Sequence, residues 1–454
     1  MPNINVSEFN FDRQTGKAYV EYDNGTGVEK DLAHAVTGKL NTTTGVVTLD
    51  DASKSALAQT GFGGNIDPYL GVVANRCSVP NQFNASLRQG MARSKHYATD
   101  NIKALALVYV NAWVRRTGGT VGEVNAGAPA TFTAAIEYPS GTIAAVITFG
   151  GSTSGTVADG GTLQSDSVAV NIPIGAAFFV RTWMSCAAGL PHYYGGGLAT
   201  ATGVNPAGES FVFSATTTPD TTQTAGNFSN QSANYFYRPA AIIGMTTKPS
   251  FMLCGDSRLG NGVLNDTITD GYGLVGEIEK TLGLTYGTIN AGCGGERVQN
   301  VASTGYTVRS SLIKYVSHGV VTYGINDICN FDAAGARTAA QVQADVTTFI
   351  GRFGGKPVYV ATLSPVSTST DSWTTTGNQT THANNSVRVA HNAWVRSIVP
   401  PVAGYFEVAD AVESARDSGI WKAPGYTADG IHGNSTATSA VKQSGGVSIP
   451  YVNH

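Results

Sequence analysis

Charge is scarce in this chain: only 13% of its 454 residues are Asp, Glu, Lys or Arg, about half the usual share. With a net charge of −3 there is no basic footprint for a polyanion, so nucleic acid is not an expected partner. No apolar run approaches the roughly 18 residues that a membrane-spanning helix needs, and a membrane is not expected either. The five cysteines are odd in number and widely dispersed, which does not make a disulfide framework. The eight histidines include no H-x-x-x-H or HExxH pair and no CxxC occurs, so neither a metal nor any other cofactor is expected. The opening residues, MPNINVSEFN, have neither the basic start nor the apolar core of a secretion signal.

Glycine and threonine are plentiful instead, with 55 glycines and 42% hydrophobic residues, enough to fill the cores of two or three domains. Such surfaces fit β-rich, extracellular-type proteins. The most informative segment is Gly255-Asp256-Ser257-Arg258, directly behind the apolar run Phe251-Met252-Leu253-Cys254. That run reads as a short buried strand, and a Gly-Asp-Ser turn at its carboxyl end places a hydroxyl where open α/β sheets bind ligands. Three blocks follow: Asn290-Ala291-Gly292-Cys293-Gly294-Gly295, then Gly324-Ile325-Asn326-Asp327, then Asp429-Gly430-Ile431-His432. Taken singly, each is made of ordinary turn residues. Their joint order, two of them behind strand-like runs, is what carries information.

A serine hydroxyl is a weak nucleophile and needs a base within hydrogen-bond reach, a task suited to an imidazole. Ser257 is the candidate nucleophile and His432 the candidate base. A carboxylate three residues earlier can fix the imidazole tautomer, which makes Asp429 the candidate orienter. In order and spacing the four blocks resemble the SGNH hydrolase (GDSL esterase/lipase) family over roughly residues 248–445. That resemblance implies an oxyanion hole formed by the backbone N–H of Ser257, the backbone N–H of Gly295, with Gly294 as the alternative, and the side-chain amide of Asn326. The family usually has an aliphatic residue where Arg258 stands. A guanidinium there either lies solvated at the rim or favours polar and anionic substrates.

Strands expected over 286–290, 318–323, 356–363 and 405–409 alternate with helices expected over 273–282, 308–316, 339–353 and 386–398. The alternation predicts an α/β fold, a parallel sheet wound on both faces, over residues 248–454. Two loops are candidates for shaping the substrate site. The loop 364–385 contains Trp373, and 418–428 contains Trp421 and Tyr426, with each aromatic ring set either against substrate or in packing. Cys254, Cys293 and Cys329 flank the blocks and read as small packing residues, with a Cys293–Cys329 bridge as the alternative.

The first half is organised differently. Residues 1–75 show short strand-like pieces and glycine turns, as in Lys17 to Tyr22 followed by Asp23-Asn24-Gly25, and read as a small β-hairpin segment. They loosely resemble the leader regions of phage tail fibre or tailspike proteins, which implies a virion-associated trimer. Over 90–245 the pieces 104–114, 131–138, 142–149, 168–172, 176–184 and 210–215 predict an antiparallel β-sandwich, jelly-roll-like. It is either a carbohydrate-binding module, with His192-Tyr193-Tyr194 as a sugar platform, or a structural one.

The expected activity is a carboxylic ester hydrolase with a Ser-His-Asp triad. Its expected substrate is an O-acetyl group on a carbohydrate or polysaccharide, or a small ester, in an extracellular or virion-associated setting. A lipase acting on longer acyl chains, or a tail-associated glycan-binding protein carrying an esterase domain, are the alternatives.

Overall fold

A computed structural model describes residues 68–447, apart from 116–121, 195–207, 227, 229–234, 260–272 and 275. Of the amino-terminal stretch it describes only strands. The chain divides into two compact units, Met1–Pro68 with Ile449–His454, and Tyr69–Ser448. In the first unit Lys17–Tyr22 pairs antiparallel with Val6–Asp12 on one side and Gly27–Asp31 on the other, and Gly38–Asn41 pairs with Val46–Leu49. The turn residues expected in that segment, Asp23-Asn24-Gly25 among them, lie outside the described ones.

In the second unit the functional region is a six-stranded, all-parallel sheet. Its strands are β1 (Cys77–Ser78), β2 (Ser250–Cys254), β3 (Gly287–Asn290), β4 (His318–Val321), β5 (Val358–Ala361) and β6 (Gly404–Phe406), in the spatial order β6-β5-β4-β2-β3-β1. Strands buried on both faces read as continuous apolar runs, and every residue of β2 and β5 is buried,. Among the described residues the α-helices of five or more residues are α1 (Val298–Ser303), α2 (Ile325–Cys329), α3 (Ala339–Ile350), α4 (Asn385–Arg396) and α5 (Ser435–Ser444). Helix α3 begins with a capping box between Thr338 and Gln341, which supplies acceptors for otherwise orphaned N–H groups.

From β2 the chain goes first to β3 on one side and then to β4 on the other. Ligands bind at such a reversal of strand order, beyond the carboxyl ends of the strands. The turn after β2 therefore lies between the loops that follow β3 and β4. The reversal gives the three blocks a common location.

The sequence expects residues 90–245 and 248–454 as separate domains, whereas both fall within one compact unit. Strand β1 comes from the first half and pairs with β3 as the edge of the parallel sheet. Gly287, at the start of β3, lies so close to the preceding layer that a Cβ there would sit 1.9 Å from the Val72 carbonyl oxygen. Only glycine allows that approach. Tyr69 Oη reaches the Lys248 carbonyl at 2.8 Å, and Asn75 Nδ2 reaches the Gly283 carbonyl at 2.8 Å.

That layer holds two antiparallel sheets. One contains Tyr69–Val72, Ala241–Thr246, Ile102–Val110, Thr162–Gln164 and Val168–Ile172; the other contains Ile143–Val146, Ala130–Glu137, Ala177–Cys186, Gln89–Tyr97, Ser210–Ser214 and Gly155–Val157. Tyr109 of the first stacks on Phe132 of the second with ring centroids 4.6 Å apart, and its hydroxyl meets Thr182 Oγ1 at 2.8 Å. His192 and Tyr193, offered by the sequence as a sugar platform, are instead buried, and the Tyr193 hydroxyl donates to the Ser78 carbonyl. All five cysteines are free and buried, so no Cys293–Cys329 bridge exists.

Candidate active site

Gly255 opens the turn after β2 because a Cβ there would lie 1.9 Å from Thr322 Oγ1, at the end of the neighbouring β4. The following Asp256 is fully buried, and its Oδ1 accepts from Arg258 N at 3.0 Å. That bond holds the turn in shape and leaves Ser257 half-buried at its crest. Ser257 Oγ lies 2.8 Å from His432 Nε2, and His432 Nδ1 lies 2.7 Å from Asp429 Oδ2. Residues 175 positions apart in the chain thus meet in a hydrogen-bonded line.

Asp429 decides the direction of that line. Its half-buried setting pushes the carboxyl up, but hydrogen bonds from the His432 ring and from the N–H groups of His432 and Ile431 outweigh this. The group is held well below the usual carboxylate range. An ionised carboxylate only accepts, so the imidazole proton sits on Nδ1 and Nε2 is left to accept from the Ser257 hydroxyl. The loop supporting this is tight: Asp429 Oδ1 accepts from Ile431 N and His432 N, both at 2.8 Å, while Thr427 Oγ1 donates to the His432 carbonyl at 2.8 Å and accepts from Gly430 N at 2.9 Å. Gly430 has φ +75°, and a Cβ there would lie 1.9 Å from the Ser367 carbonyl oxygen.

The second block is latched to the first. Cys293 N donates to the Gly255 carbonyl at 2.9 Å, and Asn290 Nδ2 donates to the Leu259 carbonyl at 2.8 Å. The turn that follows closes with Glu296 N on the Cys293 carbonyl at 3.2 Å, with Gly295 exposed at φ +80°. That is the left-handed position of a tight turn, where glycine carries no steric cost. Among the described residues neither the Ser257 N–H nor the Gly295 N–H has an acceptor. The third block grips the same turn: Asn326 Nδ2 donates to the Glu296 carbonyl at 3.0 Å, and Asp327 accepts from Val298 N at 3.0 Å and Gln299 N at 3.2 Å, capping α1. Asn326 retains a second amide hydrogen.

No family model matches the sequence, and no curated protein does. Among the solved structures that the chain is similar to are acetylesterases and a GDSL-like lipase. A carbohydrate acetylesterase from Sinorhizobium meliloti is 15% identical, with a TM-score of 0.29 over 43% of this chain and 96% of that one. An acetyl xylan esterase from Geobacillus stearothermophilus is 13% identical, with a TM-score of 0.33 over 45% and 96%. A GDSL-like lipase from Bacteroides thetaiotaomicron is 11% identical, with a TM-score of 0.30 over 43% and 84%. At such scores the likeness adds nothing to the chemistry, which rests on the contacts above.

Arg258 and Trp421 do not line the site. Arg258 is not a solvated rim residue: it is 4% exposed, and its guanidinium points inward to the carbonyls of Ser364, Pro365 and Ile431. Trp421 does not face substrate either, being fully buried with Nε1 donating to the Gly430 carbonyl at 2.9 Å. Trp373 sits half-buried on the hairpin formed by Ser367–Ser369 and Gln379–Thr381, at φ +59°, with Nε1 on Ser367 Oγ at 3.0 Å. It borders Gly430 on the side where a Cβ would meet its Cζ2 at 2.6 Å.

Sequence reasoning passed over Thr427, whose hydroxyl organises the base's loop, although a Thr two residues before Asp is a recognisable turn signal. It also passed over the buried carboxyls. Burial pushes Asp256 up to about 6, Asp327 up to about 6 despite its two backbone donors, and Glu277 upward as well. No local pattern marks these as buried. Among the described residues no group of three His, Cys, Asp or Glu could hold a metal ion, and no helix is long and apolar enough to cross a membrane.

Proposed function

We propose that the chain hydrolyses carboxylic esters through Ser257, His432 and Asp429. The observation that carries this is the continuous line of contacts, 2.8 Å from hydroxyl to imidazole and 2.7 Å from imidazole to carboxylate, with the carboxylate ionised. In the first step Ser257 Oγ bonds to the carbonyl carbon as its proton passes to His432 Nε2. Asp429 steadies the resulting imidazolium. The negative charge on the former carbonyl oxygen is met by the N–H groups of Ser257 and Gly295 and by the free hydrogen of Asn326 Nδ2, each such donor typically contributing about 3 to 4 kcal/mol. Collapse breaks the C–O bond to the alcohol, which leaves with the proton from His432. Water then attacks the acyl-enzyme with His432 as base, and Ser257 is regenerated as the acid departs.

The substrate reading is an O-acetyl group on a carbohydrate. What supports it is the polar character of the hairpin that borders the base's loop, with Ser367, Ser369, Thr374 and Thr375 in hydrogen bonds around Asp371 and Trp373. An apolar acyl chain gains little from such a wall, whereas hydroxyl-rich sugars exchange hydrogen bonds with it and stack on an indole face. Turnover of p-nitrophenyl acetate, butyrate and octanoate by the full chain tests both parts. Activity falling with chain length, and present on acetylated xylan, is expected. Preference for octanoate would replace the carbohydrate reading with a lipase, and inactivity towards all of them would remove the esterase.

A further inference from the structure

Arg258 directly follows the nucleophile, yet its side chain reaches away from solvent and into the floor of the site. Nη1 donates to the Ser364 carbonyl at 2.9 Å, and Nη2 donates to the Pro365 carbonyl at 3.3 Å and the Ile431 carbonyl at 3.1 Å. Ile431 immediately precedes His432. A planar, weakly hydrated guanidinium with donors in a fixed fork is the side chain best suited to bind several carbonyls at once without water. The surroundings close on it: Glu277 N donates to the Arg258 carbonyl at 3.4 Å, and Ser364 Oγ donates to Glu277 at 3.0 Å. Buried Asp256 and Glu277 both feel its charge, so the cation is balanced inside the protein.

Resting on the esterase reading, we propose that Arg258 is a positioning residue whose guanidinium ties the turn carrying Ser257 to the loop carrying His432, through the carbonyls of Ser364, Pro365 and Ile431, and thereby fixes the contact between nucleophile and base. The two loops come from opposite ends of the catalytic region; among the described residues the other hydrogen bond between them is that of Ser257 with His432 itself, which must break and re-form in every cycle. A second tie keeps the distance constant while that bond changes. An aliphatic side chain at this position would fill the space and leave three carbonyls without their donor.

The test uses Arg258→Met and Arg258→Lys in the full chain. It measures kcat and KM on p-nitrophenyl acetate, with active sites counted by fluorophosphonate titration and folding followed by melting temperature. Arg258→Met is expected to lower kcat per titrated site by about 10- to 100-fold, since small displacements of reacting groups cost factors of this size, while KM stays within about twofold. Arg258→Lys, which keeps the charge but not the fork, is expected to recover part of that loss. An unchanged kcat per titrated site in Arg258→Met, whatever its melting temperature, would overturn the proposal and make Arg258 a packing residue only. Should the Met variant fail to fold, the Lys variant decides, and wild-type kcat per site in it would overturn the proposal. If wild type neither turns over nor is titrated, the esterase reading itself fails.

Discussion

At the scale of single residues, the chemistry depends on where two protons sit. Asp429 is ionised across the neutral range because hydrogen bonds hold its carboxyl low, and this places the imidazole proton on Nδ1. Asp429→Asn presents an amide of the same shape, whose N–H turns the ring to the opposite tautomer; kcat is expected to fall by about ten-thousandfold with the fold intact. Circular dichroism with steady-state rates checks this, and a parallel loss of melting temperature and activity would make Asp429 structural instead. Asn326→Ala removes one of the proposed oxyanion donors and is expected to lower kcat by about a hundredfold to a thousandfold at unchanged KM. Ser257, His432 and Asp429 could be picked from the chain as the proposed nucleophile, base and orienter, because such chemistry demands particular residue types in particular turns. They lie in one hydrogen-bonded line. The proposed oxyanion donors come from the family resemblance. Arg258 is misread, and Trp421 stays open between substrate and packing, for the opposite reason. A guanidinium or an indole is as suited to buried carbonyls as to a substrate, and no local pattern separates the two settings.

Among elements, five of the six strands of the parallel sheet were legible as apolar runs, and α3 and α4 as amphipathic periods, whereas β1 lies outside every expected strand. Helices α1 and α2, of six and five residues, were not, since they are too short to show a period and are held by the caps of Asp327 and the left-handed Asn330,. Strand Gln89–Tyr97 was missed because its buried positions include Arg93 and Ser94. Arg93 and Arg181 share buried Glu137, with Arg93 Nε at 2.9 Å and Arg181 Nη1 at 3.1 Å from its Oε2. A charged residue in a strand reads as exposed until its partner is known. The base's loop is likewise defined by a neighbouring element. The Gly430 carbonyl accepts from Ser367 N at 3.0 Å and from Trp421 Nε1, so the hairpin and a buried indole both hold it. Gly430→Ala is expected to lower kcat by about a hundredfold or more, because a Cβ at φ +75° meets the Ser367 carbonyl oxygen at 1.9 Å,. Wild-type turnover in that variant would show that the hairpin does not fix the loop.

For the whole molecule, the β half and the catalytic half fall in one compact unit, joined by β1 and by the contacts of Tyr69, Asn75 and Gly287. Residues 248–454 expressed alone would lose an edge strand and expose the face that packs on Val72. They are expected to be insoluble or unfolded, and a soluble fragment with the full chain's esterase activity would contradict this. Stability should also depend on pH in a way set by the buried carboxyls. Asp256 rises from 3.8 to about 6 on folding. Its contribution is therefore fully present below pH 3.8 and is lost as pH rises through about 6, a cost on the order of 3 kcal/mol at neutral pH. Asp256→Asn mimics the protonated form, so urea unfolding is expected to find it more stable than wild type at pH 8 and no more stable at pH 4. Equal differences at both pH values would show that Asp256 titrates normally.

The account stands on Ser257 being a nucleophile activated by His432. Incubation of the full chain with a fluorophosphonate, followed by intact mass and peptide mapping, tests this without assuming a substrate. A single adduct on Ser257, absent in His432→Ala and matched by loss of p-nitrophenyl acetate hydrolysis, is the expected result. Labelling at another serine, or hydrolysis that persists after complete labelling of Ser257, would contradict it.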